Sequence, residues 1–429
     1  MAIRLLAVGV RRRSALVLAA AVAASAALAP SSVLADTPEP EENTSSQLDE
    51  STRGSSGFQT SSEAEKTASL IGPDTGLSAF VWTPEGEDAL FRRIGQSELS
   101  SGAILDALVG AEESGLSSLL EAERQPVPNL LPTRDDITAV ELVSRTPEAG
   151  GVERWVVASP SMKRNVEVQV RPATGGPAPV LTLLDGINSQ SNSGWVNHGA
   201  VTTVFGDQPV HLLMPSHGGA SMYLDWDHPD PNQGQPKWDT FITTELLPLV
   251  DATLATNGKH AIGGLSMGAS GALMIANAHP GAFDAAFGLS GCYSTTDSLG
   301  AMTAAAIVGD GGGELANLWG DPAGATAARY DVTADPSGLA DTRVYLATGN
   351  GAWHDRDQQG YAGTTVGTVS AGSLLERGAM SCTQALDARL GEIGHPDYRV
   401  QYYDHGLHNW DHFNEEAARA WEEIKGALI

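Results

Sequence analysis

One short stretch of this chain has residue types and spacing suited to covalent chemistry. It reads Lys259-His-Ala-Ile-Gly-Gly-Leu-Ser-Met-Gly-Ala-Ser-Gly-Ala-Leu and contains Gly264-Leu265-Ser266-Met267-Gly268. The Gly-x-Ser-x-Gly pattern alone is weak, because a chain of this composition yields roughly 0.4 such matches by accident. Its setting gives it weight. It follows a predicted strand and opens a small-residue helix, the strand–turn–helix geometry that holds a serine hydroxyl on a strained turn above a sheet edge. The flanking glycines let neighbouring backbone close around that turn, and the helix N-terminus favours negative charge developing nearby.

A serine of ordinary acidity needs a general base, itself held by a carboxylate. In folds with such an elbow the chain order is serine, acid, histidine. The histidines downstream of Ser266 are His279, His354, His395, His405, His408 and His412. The segment Gln401-Tyr-Tyr-Asp-His-Gly-Leu-His-Asn-Trp-Asp-His-Phe places the last three between a late strand and the final helix. Spacing does not choose among His405, His408 and His412. A histidine-rich tract can also bind zinc, but nothing else in the sequence asks for a metal, and the expectation is a site without metal or cofactor.

The elements that must carry these residues begin near residue 150. Strands are predicted at Trp155–Ala158, Val166–Val170, Val180–Leu184, Val210–Met214, His260–Gly263, Ala285–Leu289, Arg343–Thr348 and Arg399–Tyr403. Helices are predicted at Trp238–Thr253, Met267–Ala278, Leu375–Leu390 and Phe413–Ala427. Several strands are continuous apolar runs, as in a central sheet covered on both faces. Their alternation with helices predicts an α/β protein with a mostly parallel sheet flanked by helices.

Composition bounds the rest. The chain has 429 residues, 25 Lys+Arg against 52 Asp+Glu, and a formal net charge of −27. No basic block exists to neutralise phosphates, which excludes a nucleic-acid binder of the electrostatic kind. Residues 1–35 combine Arg4 and Arg11–Arg13 with an Ala-rich apolar run and the exit Val33-Leu34-Ala35. That combination predicts a signal peptide cleaved near Ala35 and a secreted or envelope protein. Its removal would take four arginines and no acids, moving the formal charge from −27 to −31. No other stretch is long and apolar enough for a transmembrane anchor. Residues 36–75 are predicted to be a disordered acidic linker, 76–149 a small helical appendage, and 150–429 the catalytic domain. The only cysteines are Cys292 and Cys382; in an oxidising compartment they could pair, and two buried thiols are the alternative.

Together the motifs resemble the secreted mycolyltransferases of the antigen 85 family. The resemblance rests on the Gly-Leu-Ser-Met elbow, Leu184-Asp185-Gly186, Ser159-Pro-Ser-Met-Lys-Arg164, Ser221-Met-Tyr-Leu-Asp-Trp226, and Lys237-Trp-Asp-Thr-Phe241 with Glu245-Leu-Leu-Pro248. It continues through Ala316-Asn-Leu-Trp-Gly320, Gly349-Asn-Gly351 and Gly406-Leu-His-Asn-Trp410, in family order over residues 153–429. It implies an α/β-hydrolase fold and a triad of Ser266, Glu376 and His408. Asp355 and Asp357 compete with Glu376, since they lie nearer a strand end. The resemblance also implies an oxyanion hole from the backbone N–H groups of Ile187 and Met267, and trehalose contacts from Asp185 and Trp410. The bland readings of those two are a turn-stabilising aspartate and a packing indole. Asn188 stands where antigen 85 proper has an arginine, and Ala347 where a cysteine is often found.

The implied reaction moves a mycolyl group from trehalose monomycolate to a sugar hydroxyl, with trehalose mycolates and cell-wall glycans as partners. The alternatives are a secreted serine carboxylesterase with water as acceptor and a non-catalytic envelope or matrix-binding protein on the same fold.

Overall fold

The computed structural model describes residues 133–354, 357 and 366–429. The predicted leader, the linker, the appendage up to residue 132, and Asp355 lie outside the described residues. Nine strands form one sheet: β1 (Glu141–Pro147), β2 (Glu153–Ser159), β3 (Arg164–Arg171), β4 (Ala178–Leu184), β5 (His211–Pro215), β6 (Thr256–Leu265), β7 (Ala285–Leu289), β8 (Arg343–Thr348) and β9 (Tyr398–Tyr402). Their order is β1-β2-β3-β5-β4-β6-β7-β8-β9. The first four in that order pair antiparallel, and from β5 onward every pairing is parallel.

All residues of β4, β5 and β7 are buried, which is why they read as unbroken apolar runs. Strand β1 shows the opposite. The sequence places it at the end of a helical appendage, yet Glu-Leu-Val-Ser-Arg-Thr-Pro pairs with β2 at the sheet edge. Its side chains are almost all exposed, so the alternation of apolar and polar residues that betrays a half-buried strand is missing. The sheet therefore starts at Glu141 rather than after residue 150.

The helices used below are α1 (Leu247–Thr253), α2 (Met267–Ala278), α3 (Ser298–Asp310), α4 (Val366–Glu392) and α5 (Trp410–Ile424). α1 continues a helical run that begins at Trp238–Thr240 and widens into a π-helical stretch over Phe241–Leu246. Alternate strand residues separate into two cores. Val180, Leu184, Ile262 and Val344 pack with Leu247, Met267, Ala272, Leu273 and Leu386 on one face of the sheet. Leu181, Leu183, Ala261, Phe287 and Tyr345 pack with Trp195, Phe413, Ala417 and Trp421 on the other. The molecule is thus a three-layer α/β/α sandwich with an antiparallel extension at one edge. Among the described residues no helix is long and apolar enough to cross a membrane.

Candidate active site

The elbow sits where β6 hands over to α2. Ser266 has φ 53° and ψ −123°, a backbone conformation that costs a non-glycine residue free energy and persists only where its surroundings enforce it. They do so on two sides. The Ser266 N–H donates to Leu289 O at 2.8 Å, extending the β6–β7 ladder by one residue. On the other side, α2 begins so close to the end of β4 that a Cβ on Gly268 would lie 2.4 Å from both Leu184 O and Asp185 O. Backbone cannot yield there, so only glycine fits.

His408 Nε2 lies 2.9 Å from Ser266 Oγ, and His408 Nδ1 lies 2.8 Å from Glu376 Oε2. Ser266, Glu376 and His408 are therefore brought together, with the acid on α4 and the base in the loop between β9 and α5. Asp357 does not reach the base. Its two oxygens accept from Asn409 Nδ2 at 2.7 Å and the His354 N–H at 2.8 Å. Asn409 in turn caps α5 by accepting from the His412 N–H. Asp357 thus braces the loop that carries His408 and leaves the acid role to Glu376.

Glu376 is fully buried. Its Oε1 accepts from Ser290 Oγ at 2.6 Å, the Gly349 N–H at 2.6 Å and Thr348 Oγ1 at 3.0 Å. Burial alone would raise this carboxyl. The hydrogen bond and charge of His408, the charge of His412 and the Ser290 hydroxyl outweigh burial and hold it at about 2. The acid stays ionised through any neutral-pH cycle and fixes the His408 tautomer that leaves Nε2 free to take the serine proton.

A second buried pair stands behind it. His412 Nε2 lies 3.0 Å from Glu416 Oε1 and 3.9 Å from Glu376 Oε1. Burial opposes the His412 imidazolium, but Glu416 and Glu376 raise it to about 9. Burial also raises Glu416, which His412 only partly offsets. One cation therefore faces two carboxylates, with Glu376 held low and Glu416 raised.

Ser290, Thr348 and Glu416 carry no recognisable signal of a role in the sequence. The Gly349-Asn350-Gly351 motif marked only the end of the strand that carries Thr348. A Cβ on Gly349 would lie 2.7 Å from Gly406 O and His405 O and 2.8 Å from His412 Nε2, so this strand end is where the histidine loop seats.

Met267 follows the nucleophile directly, and Ile187 lies in the loop after β4 next to it. Met267 opens α2, where an N–H has no acceptor within the helix. Gly186, next to Ile187, lies beside the serine: a Cβ there would be 3.6 Å from Ser266 Cβ and 3.9 Å from Ser266 Oγ. The loop is held by the Asp185 N–H donating to Tyr223 Oη at 3.2 Å and by the Ala220 N–H donating to Ile187 O at 3.1 Å. Ala220, Met222 and Tyr223 all have positive φ, so strain gathers around the elbow and its support.

Asp185 is buried, and its Oδ1 accepts from the Gly194 N–H at 2.9 Å and Ser193 Oγ at 3.1 Å, which is the turn-stabilising role. Its Oδ2 is buried with no hydrogen-bond partner among the described residues. Burial lifts its carboxyl to about 7, against those hydrogen bonds. Trp410 is half-buried, edge-on to Trp195 at 5.5 Å and stacked on His198 at 4.5 Å between ring centroids. Asn188 sits partly exposed in the turn after Ile187. Cys292 and Cys382 are bonded, with Cα atoms 4.8 Å apart.

A strained serine, a histidine hydrogen-bonded to it and a buried ionised acid behind that histidine define a serine-hydrolase-type enzyme on an α/β-hydrolase fold. The model of a family described as putative esterases matches residues 159–422. Diacylglycerol acyltransferase/mycolyltransferase Ag85B of Mycolicibacterium smegmatis is 31% identical over 289 residues, covering 65% of this chain and 85% of that relative. The Ag85A protein of Mycobacterium tuberculosis is 29% identical over 286 residues, covering 65% and 81%. The solved structure of MPT51 from Mycobacterium tuberculosis superposes with a TM-score of 0.54 at 24% identity, covering 68% of this chain and all of that one. The chain belongs to the antigen 85 group of the esterase-like family.

Proposed function

We propose that this enzyme is a secreted mycolyltransferase that moves a mycolyl group from trehalose monomycolate to a sugar hydroxyl of a second trehalose monomycolate or of cell-wall glycan. The observation that carries the reading is the complete Ser266–His408–Glu376 relay in a chain whose relatives are named acyltransferase/mycolyltransferase. His408 Nε2 takes the Ser266 proton as Oγ attacks the ester carbonyl. The amides of Ile187 and Met267 hold the oxyanion, a contribution whose loss typically costs about 10²–10³ in rate per donor. His408 then gives the proton to the departing trehalose oxygen, leaving a mycolyl ester on Ser266. The acceptor hydroxyl reverses these steps, with His408 as base again. The free Asp185 Oδ2 is suited to accept a sugar hydroxyl, and the Trp410 ring to offer an apolar face.

Supplying purified protein with trehalose monomycolate and analysing the lipids tests this directly. Trehalose dimycolate should form, and none should form with Ser266→Ala. Free mycolate without dimycolate, with or without added trehalose, would instead establish the esterase reading. Export is tested by sequencing the N-terminus of protein from culture medium or envelope, expected to begin at Asp36.

A further inference from the structure

We propose that His405, His412 and Glu415 bind a divalent cation of the zinc class, which clamps the loop carrying the catalytic His408. These residues bracket that loop: His405 precedes His408 by three positions, and His412 and Glu415 lie in the first turns of α5.

One nitrogen of each histidine faces a carboxylate, as a hydrogen bond for His405 and as an ion pair for His412. His405 Nδ1 lies 2.8 Å from Asp404 Oδ1, and His412 Nε2 lies 3.0 Å from Glu416 Oε1. That is the outer support that fixes ring orientation and tautomer in metal-ligating histidines. The opposite nitrogens, His405 Nε2 and His412 Nδ1, are buried with no hydrogen-bond partner among the described residues. His412 as a residue is only 4% exposed. A buried polar nitrogen without a hydrogen bond calls for an explanation, and here three occur together, His412 Nε2 having only its ion pair to Glu416.

Spacing supplies one. A ring nitrogen of each histidine and a Glu415 carboxylate oxygen all lie within 4.8 Å of one another, and His405 Nε2 is 3.6 Å from Glu415 Oε2. Bonds of 2.0–2.1 Å at tetrahedral angles set donors roughly 3.3–3.4 Å apart, so small side-chain shifts would close the set. The three residues line a cleft of about 10 Å³ together with His354, Asp357 and Asp411, space for one ion or water. Two imidazoles and a carboxylate suit zinc-class ions, whereas calcium and magnesium take oxygen donors. Ligation through His412 Nδ1 releases the proton there, and the ion's own charge takes the place of the imidazolium's beside Glu416 and Glu376. The role is positional: the ion would tie the loop before His408 to the helix after it, and no step of acyl transfer passes through it. The proposal does not depend on which acyl group or acceptor the enzyme uses.

The purified, EDTA-treated protein is titrated with zinc chloride by calorimetry, with magnesium chloride as control. One equivalent of zinc is expected to bind with a rise in Tm, and no saturable magnesium binding. His405→Ala and Glu415→Gln should each weaken zinc at least ~10-fold. His260→Ala, which removes a largely buried histidine on β6 paired to Asp251, should leave binding unchanged. Cobalt(II) in place of zinc should give a tetrahedral absorption spectrum. Fluorophosphonate labelling of Ser266 shows that each variant is folded. Absence of saturable zinc binding to the unaltered protein, or zinc binding by labelled, folded His405→Ala equal to the parent's, would overturn the site.

Discussion

The two halves of the active site are built on different principles. On the nucleophile side almost everything is backbone: the Ser266 N–H on Leu289 O, a positive φ, and a glycine pressed against two carbonyls of β4. On the base side almost everything is side chain: Glu376, Ser290, Thr348, His408, His412 and Glu416 joined by hydrogen bonds and buried charge. Close backbone contact admits few residue types, whereas hydrogen-bond reach can be met by many. The first half is rigid by sterics and tolerates no substitution of shape. The second is rigid only while its charges stay paired.

If the halves act as one unit, removing the nucleophile and removing the acid should both be severe. Ser266→Ala is expected to lower kcat by about 10⁶-fold, read on an activated ester. Glu376→Gln keeps the shape but not the charge and should cost about 10⁴-fold. Because Ser266 stays on its strained turn in that variant, a fluorophosphonate should still label it, only slowly. A loss under tenfold for Glu376→Gln would break the comparison, since the base would then be held by sterics alone.

The difference also explains what could be read from the sequence. The elbow was legible because its glycines are forced by contacts under 3 Å, so the pattern and the geometry are the same fact. The parallel strands were legible because burial on both faces makes them apolar throughout, while exposed β1 was not. Spacing alone could not choose among His405, His408 and His412. All three lie on one loop, and only the fold decides which ring meets Ser266 and which lies behind Glu376. Family resemblance supplied that choice and the acid; the chain's own pattern offered Asp357 on equal terms. Ser290 and Glu416 were illegible because a serine after a strand and a glutamate in a helix are ordinary until tertiary packing brings them to one carboxylate.

The disulfide offers a gentler test of the charged half. Cys292 lies two residues beyond Ser290, and Cys382 lies six beyond Glu376 on α4, with the cysteines 90 positions apart. The bridge thus ties together the two elements whose side chains meet in the Ser290–Glu376 hydrogen bond. Cys382→Ser, or reduction, should lower unfolding free energy by about 2–4 kcal/mol, measured by urea denaturation with and without reductant. Activity at 25 °C should fall less than for Glu376→Gln, because the local hydrogen bonds remain. An unchanged urea midpoint on reduction would show that packing alone docks α4.

The smallest effect is expected from the one buried carboxyl on the nucleophile side. Asp185 follows β4 beside the Gly186–Ile187 loop, and burial raises its folded-state value to about 7, above the usual 3.8. A carboxyl raised on folding contributes stability that is full below pH 3.8 and lost as pH rises through 7. Asp185→Asn keeps an oxygen for the Gly194 N–H and Ser193 hydroxyl but cannot ionise. The variant and parent should therefore be equally stable near pH 4, and the variant more stable by roughly 1–3 kcal/mol at pH 8. Denaturation curves across that range check it, and curves that stay parallel would mean the carboxyl is not raised. A gain in stability with a rise in KM for the sugar ester would identify Asp185 as a residue kept for its substrate at the fold's expense. A gain with unchanged KM would leave it only the turn it caps, and the nucleophile half would then owe nothing to charge.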